Sequence, residues 1–142
     1  MTPQRDRSLN NQTLAGAIGA GGLVVQIILG EALAGSGNLT GSGLILPHML
    51  IGVAGIALVA FLVSSIFLTP SSMIARLVWA LAFLLTFAQV ALGFKILGSP
   101  DAMLTMAHQG IAVVILVLLA VGGMLSARSR RKSIAASVAA PA

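Results

Sequence analysis

Residues 103–125 have the sequence MLTMAHQGIAVVILVLLAVGGML, which contains no charged side chain. A helix needs about 20 apolar residues to cross the hydrocarbon core of a membrane. Three more apolar stretches precede this one, at residues 14–33, 44–68 and 74–97. Hydrophobic residues make up 58% of the chain and charged residues 8%, whereas soluble proteins have about 25% charged residues. The sequence therefore predicts an integral membrane protein and excludes an ordinary globular enzyme or a disordered chain.

Turn-forming residues separate the four stretches. The first connection, at 35–43, is rich in Gly and Ser, the second, at 69–72, contains Pro70, and the third, at 98–101, contains Pro100. Short connections make neighbouring helices antiparallel, so we predict an all-α, up-down bundle of four transmembrane helices. The absence of Tyr and an aromatic content of 4% argue against a porin-type barrel. We expect residues 14–125 to form the bundle, 1–13 an N-terminal cytoplasmic segment, and 126–142 a basic, Ala/Ser-rich cytoplasmic tail that is unstructured from Ser133 onward.

Positive charge is concentrated at one end of such a bundle. Of the eight Lys/Arg residues, against three Asp/Glu, seven lie at that end: Arg5, Arg7, Arg76, Arg128, Arg130, Arg131 and Lys132. By the positive-inside rule we expect a multi-pass protein of the plasma (inner) membrane with both termini in the cytoplasm. The basicity is then a topology signal and not a nucleic-acid-binding surface. The expected partners are the lipid bilayer and either other membrane subunits or a second copy of the chain.

The N-terminal stretch has an alternative interpretation. Arg5 and Arg7, the following apolar run and Ala32-Leu33-Ala34 occur in the order of a secretory signal with its cleavage site. The run is long for a signal, so we expect it to be retained as the first membrane helix.

The chain contains an internal repeat of one helical hairpin. Gln26-Ile27-Ile28-Leu29-Gly30 in the first stretch matches Gln89-Val90-Ala91-Leu92-Gly93 in the third. Each copy is followed by a Gly-containing loop and then by a histidine near the start of the next helix, His48 or His108. Two parallel repeats imply a pseudo-twofold axis along the membrane normal, with equivalent residues close to that axis.

The two histidines are candidate ligands of one iron. Helices 2 and 4 run in the same direction and are diagonal partners in an up-down bundle, so His48 and His108 should face each other near the outer side. That is the geometry of bis-histidine haem ligation. A helix N-terminus disfavours imidazolium and so suits a neutral nitrogen ligand. The alternative is that each histidine merely binds a carbonyl or interfacial water. A zinc or non-haem iron site is disfavoured because it needs three or four protein ligands.

Small and polar residues surround the histidines in the sequence. Small residues would let a macrocycle approach the backbone, and those at the expected positions are Gly30, Gly52, Gly55, Gly93, Gly110 and Ala112. The side chains of Gln26 and Gln89 could line the cofactor edge or could instead tie two helices together. Lys95 is a cation near the expected mouth of the site, where a haem propionate would emerge. We expect Glu31 to reach the outer interface rather than the cofactor.

These motifs resemble the haem A synthase family. The resemblance covers residues 14–125 and rests on Leu29-Gly30, the loop Leu39-Thr40-Gly41-Ser42-Gly43-Leu44 with the histidine after it, and Gln89-x-x-Leu92-Gly93 with His108. That family consists of two tandem four-helix halves, each with a histidine on its second and fourth helices, and this chain is similar to one half. Ile45 stands where the oxidising half has a Glu, and the outer-loop cysteines are absent. The resemblance therefore implies the haem b-binding half, with His48 and His108 as axial ligands.

Three functions remain open at this point. The first, which we favour, is a b-type cytochrome-like protein serving as an electron-transfer or accessory subunit of a respiratory or oxidoreductase membrane complex. The second is a half-length haem A synthase that acts as a homodimer, and Ile45 argues against it because an apolar side chain cannot transfer a proton. The third is a structural subunit whose histidines bind nothing. On the first interpretation the chain alone has no catalytic residue.

Overall fold

The computed structural model describes residues 3–39, 41–67 and 72–139, and the regular structure within these ranges is entirely helical. The helices are α1 (Pro3–Gly35), α2 (Ile45–Phe67), α3 (Met73–Gly98) and α4 (Ala102–Ala139). All four are long and apolar enough to cross a membrane. The predicted four-helix transmembrane fold is confirmed. Multiple membrane-spanning helices also mean that the protein contacts the lipid bilayer.

Polar side chains define several helix ends. Ser72 Oγ accepts a hydrogen bond of 3.2 Å from the Ala75 backbone N–H at the start of α3, and Asp101 Oδ1 accepts one of 2.9 Å from Leu104 N–H at the start of α4. After α1, Gly37 has a φ of +65°, a left-handed conformation that favours glycine. Of the predicted loop residues, Thr40 and Thr69-Pro70-Ser71 lie outside the described residues.

The helices are arranged as a square in chain order. Each helix packs against its sequence neighbours, and α4 also packs against α1. The backbones of α1 and α3 are not in contact, and those of α2 and α4 are not either. The predicted diagonal relation of helices 2 and 4 is therefore confirmed. We call the end of the bundle with the chain termini the terminal end, and the end with the α1–α2 and α3–α4 connections the loop end.

The apolar core fills the half of the bundle nearer the terminal end. Trp79 of α3 is completely buried, together with Leu62 and Ile66 of α2 and Leu119 of α4. Glycines make room for the indole ring: a Cβ atom added to Gly122 would lie 2.5 Å from Trp79 Cζ2, and one added to Gly16 would lie 3.3 Å from Cη2. Gly16 and Gly19 of α1 thus serve helix packing, as small residues commonly do in membranes, whereas a Cβ on Gly21 or Gly22 would meet nothing within 4 Å.

Two helices extend beyond the predicted membrane segments. α4 continues to Ala139, so the prediction of an unstructured tail from Ser133 is wrong for residues 133–139. Ala is the best helix former, and a tail that continues an existing helix needs no new nucleation. The extension also packs, since Ser126 and Ser133 are buried and Ser126 Oγ donates a 3.1 Å hydrogen bond to Gln12 Oε1 of α1.

Candidate cofactor site

The two histidines meet in the loop half of the bundle. His48 lies in the first turn of α2 and His108 in the second turn of α4. Their ring centroids are 6.4 Å apart and the ring planes are inclined at 47°. The diagonal arrangement of α2 and α4 places both rings at one level between α1 and α3. The sequence prediction that these side chains face each other across the core agrees with this geometry.

The distance between the rings matches two imidazoles that share one metal ion. A first-row metal such as zinc lies about 2.0–2.1 Å from a ligating imidazole nitrogen. Adding roughly 1 Å from that nitrogen to the ring centre on each side gives centroids roughly 6 Å apart. The rings at 6.4 Å are thus at the separation that a shared metal requires, and this separation also lies within the range of a tilted aromatic pair.

Each histidine is positioned by a glycine of the neighbouring helix. A Cβ atom added to Gly30 of α1 would lie 3.1 Å from His48 Cε1, and one added to Gly93 of α3 would lie 3.3 Å from His108 Cε1. The two contacts join equivalent positions of the sequence repeat. The repeat therefore produces two equivalent hairpins that present their imidazoles to one another.

The Nδ1 atoms of both rings are buried and have no hydrogen-bond partner. The backbone carbonyl of Gln26 is near enough to interact electrostatically with the His48 ring, and that of Gln89 does the same for His108. In metal-ligating histidines the second ring N–H usually donates to a carbonyl or carboxylate, which fixes the tautomer. This edge of each ring therefore faces backbone, which leaves Nε2 as the nitrogen available to a metal.

Gln26 and Gln89 add two more polar groups one turn deeper in the bundle. Their Oε1 atoms are buried and unpartnered, so neither oxygen makes the interhelical hydrogen bond that was one of their two predicted roles. Gln26 Nε2 lies 3.3 Å from where a Cβ of Gly52 would be, whereas a Cβ on Gly55 would meet nothing within 4 Å. The missing side chain at Gly52 therefore leaves room for the amide of Gln26, and no atom lies where a Gly55 side chain would begin.

The loop half has few buried side chains, and Leu33 of α1 is one of them. Residues 45–58 of α2, 87–98 of α3 and 102–111 of α4 contain no fully buried side chain. The atoms that are buried here are polar, namely Nδ1 of both histidines and Oε1 of both glutamines, in contrast to the apolar core of the terminal half.

A hydrogen bond beside His108 joins α1 to α4. Gln109 Nε2 donates to Glu31 Oε1 at 2.6 Å. Glu31 is exposed, as expected, but it also lies against the residue next to His108, so an acidic group is closer to the site than the sequence predicted. Lys95 is exposed at the loop end of α3. Gly110 is exposed with open space at its Cα, so of the two small residues expected to flank His108, Ala112 is the buried one.

Among the residues that the structure describes, the candidate donors at this site are the two imidazoles. Within the described ranges, no group of three or more His, Cys, Asp or Glu side chains is gathered in a way that could hold a metal ion. Two axial nitrogens are sufficient only where another group supplies the remaining donors, as a porphyrin does.

Comparison with known proteins gave no match to a family model, a curated protein or a solved structure. The resemblance to haem A synthases stays a prediction from the sequence motifs described above.

Proposed function

We propose that this chain is an integral membrane haem protein in which His48 and His108 are the axial ligands of one b-type haem. One observation carries the proposal: the two imidazoles, on diagonal helices, have their centroids 6.4 Å apart. The glycine contacts and the buried Nδ1 atoms without a hydrogen-bond partner support it.

The residues of the chain would bind and tune such a group in separate ways. His48 and His108 would supply Nε2, because Gly30 and Gly93 lie against the Cε1–Nδ1 edges of the two rings. Gly30 and Gly93 hold the rings at their spacing, and Gln26, Gln89, Gly52 and Gly55 line the deeper edge. Lys95 at the loop end would face a propionate. A bound haem supplies one-electron redox chemistry, and the helices provide axial ligands and exclude water.

An electron-transfer or accessory subunit of a respiratory or oxidoreductase complex is the role that best suits this arrangement. The site lies toward the loop end, which the positive-inside rule assigns to the outer face of the plasma (inner) membrane. A haem there would exchange electrons near that surface. Other membrane subunits or a second copy of the chain would be its partners.

A half-length haem A synthase acting as a homodimer is the second candidate. Ile45 removes the acid expected before His48, but Glu31 is fixed beside His108 through Gln109. A carboxylate near the site is the observation that favours this alternative. Detection of haem A by chromatography, in cells that make haem O and have this chain as their sole candidate synthase, would establish the enzyme and make Glu31→Gln the first variant to examine.

The deciding experiment is pigment analysis of the purified, detergent-solubilised chain. We expect a b-type reduced-minus-oxidised spectrum and a low-spin bis-imidazole EPR signal. His48→Ala and His108→Ala should each abolish the low-spin signal, because each leaves iron with a single protein ligand.

The matched controls are Met49→Ala and Met106→Ala, which shorten exposed side chains near the two histidines and should leave the spectrum unchanged. Protein yield and helicity must be compared across all four variants. Full low-spin haem in both histidine variants would refute shared ligation, and a colourless wild-type chain after expression with abundant haem would refute haem binding.

A further inference from the structure

We infer that the basic surface at the terminal end of α4 binds the head groups of anionic phospholipids. We call Arg128, Arg131 and Lys132 the cation face; all three side chains are exposed. The inference is independent of the haem proposal, because this surface lies at the opposite end of the bundle from the histidines.

The cation face is fixed in direction by the helix that carries it. At about 100° per residue, these three positions fall within an arc of roughly 100° on α4. Ser126 and Ser133 are buried and lie on the opposite side of the helix. The helix therefore turns its buried face toward the bundle and the three cations away from it.

An exposed apolar stripe leads directly to the cation face. Met106, Val113, Val117 and Met124 are 71%, 52%, 55% and 57% exposed, and they occupy the same side of α4 as Arg128. In a membrane protein this stripe faces acyl chains. The cation face continues this stripe past the hydrocarbon boundary, and it therefore faces lipid head groups.

The dimensions agree with this placement. Residues 103–125 span about 35 Å as a helix, against a hydrocarbon core of about 30 Å. Arg128 to Lys132 covers about 6 Å of helix axis, and each head-group layer is about 5–8 Å thick. The three cations therefore begin about 5 Å beyond residue 125, and their long side chains extend along the helix to reach the head groups.

A further cation belongs to the same layer. The hydrogen bond between Gln12 and Ser126 sets the register of antiparallel α1 and α4, so Arg7, which is exposed, lies near the level of Arg131. The acidic side chains that the structure describes, Glu31 and Asp101, are both at the loop end. Clusters of cations next to a membrane helix attract anionic lipids. A nucleic acid or protein partner would have to displace lipid from this layer, and so the surface favours lipid.

The test uses the full chain in nanodiscs of mixed phosphatidylcholine and phosphatidylglycerol. The measurement is the selectivity for spin-labelled phosphatidylglycerol over spin-labelled phosphatidylcholine in the lipid immobilised by the protein. We expect Arg128→Gln/Arg131→Gln/Lys132→Gln to lower this selectivity about fivefold or more, since one cation near an anionic surface is worth about fivefold. The control Arg130→Gln removes an exposed cation of the same segment that lies outside the cation face on α4 and should retain most of the selectivity.

Two outcomes would overturn the inference that the cation face binds anionic phospholipids. Equal selectivity in the triple variant and the control would overturn it, and would leave the surface for a protein or nucleic-acid partner. Equal immobilisation of phosphatidylglycerol and phosphatidylcholine by the unaltered chain would also overturn it, even if free phosphate bound to the same surface. Circular dichroism verifies that the triple variant is folded, and the nanodisc format makes the result independent of its orientation in cells.

Discussion

Gly30 and Gly93 show how a missing side chain can determine the position of another one. Each lies against the Cε1–Nδ1 edge of a histidine on the next helix. Any larger residue would force the imidazole to move by a few tenths of an ångström, so the separation of 6.4 Å depends on these two positions. The sequence identified both glycines through the repeat, but only the packing of the helices reveals which atoms they support.

The first prediction concerns these two contacts. Gly30→Ala places a Cβ 3.1 Å from His48 Cε1, so the ring must shift. We expect haem affinity to fall roughly tenfold, the lower end of the effect of changing a group that orients a metal ligand. Gly93→Ala should behave in the same way, and the measurement is haem titration of the purified apoprotein.

The matched control for both variants is Gly21→Ala, on the exposed side of α1, where an added Cβ meets nothing within 4 Å. Ala is favoured over Gly in a helix by about 0.5–1 kcal/mol, so the control should be folded and bind haem normally. Equal affinity in Gly30→Ala and Gly21→Ala would contradict the assigned position of His48 at the iron.

The hydrogen bond between Glu31 and Gln109 could not be predicted from the sequence. It joins residues 78 positions apart on α1 and α4. Its formation depends on the rotation of each helix about its own axis. An apolar membrane helix contains little periodic signal for that rotation, because lipid-facing and core-facing residues are both hydrophobic. For the same reason the exposure of Gly110 was missed.

The positions of the four membrane helices could be predicted from the sequence, whereas the helical extension of α4 beyond Ser133 could not. The four apolar runs and their turn residues located all four helices, because a membrane requires each spanning segment to satisfy its own backbone hydrogen bonds. The helical tail of α4 was missed because polar, Ala/Ser-rich sequence is equally common in disordered segments. What distinguishes it is packing against α1, through Gln12 and Ser126, and contacts of this kind are not visible in a linear pattern.

The second prediction tests the packing of α3 against α4. Gly122→Ala would place a Cβ 2.5 Å from the rigid indole of Trp79, and overpacking of this kind costs about 1–3 kcal/mol. We expect a lower midpoint of unfolding in a sodium dodecyl sulfate titration. Trp79 is the one tryptophan of the chain, so its emission reports this contact directly.

Gly110→Ala is the corresponding control on the same helix, since its Cβ would meet open space. Its unfolding midpoint should equal or exceed that of the wild type. A Gly122→Ala protein with wild-type emission and an unchanged midpoint would show that the indole does not pack on α4 as described.

At the scale of the whole molecule, the internal repeat explains why a short chain can build a two-sided site. One hairpin provides a glycine and a histidine on adjacent helices, and the second hairpin repeats both. Connectivity alone makes α2 and α4 parallel and diagonal, so the sequence was sufficient to predict that the histidines meet. The separation and tilt of the two rings depend on how the helices pack, so they could be obtained only from the structure.

The last prediction concerns the orientation of the bundle. Four spanning helices place both termini on one side of the membrane, and the cations of Arg7, Arg76, Arg128, Arg130, Arg131 and Lys132 all lie at that end. Basic residues resist transfer across the membrane during insertion, so this end should remain in the cytoplasm. A fluorescent reporter fused after Ala142 should therefore fluoresce, and a phosphatase fused there should be inactive. The same phosphatase inserted at Gly37, in the loop before α2, should be active.

Replacing Arg128, Arg130, Arg131 and Lys132 with Gln removes four of these charges and should give a mixed population with both fusions partly active. Phosphatase activity after Ala142 in the unaltered chain would reverse the orientation, and the two histidines would then lie near the cytoplasmic face.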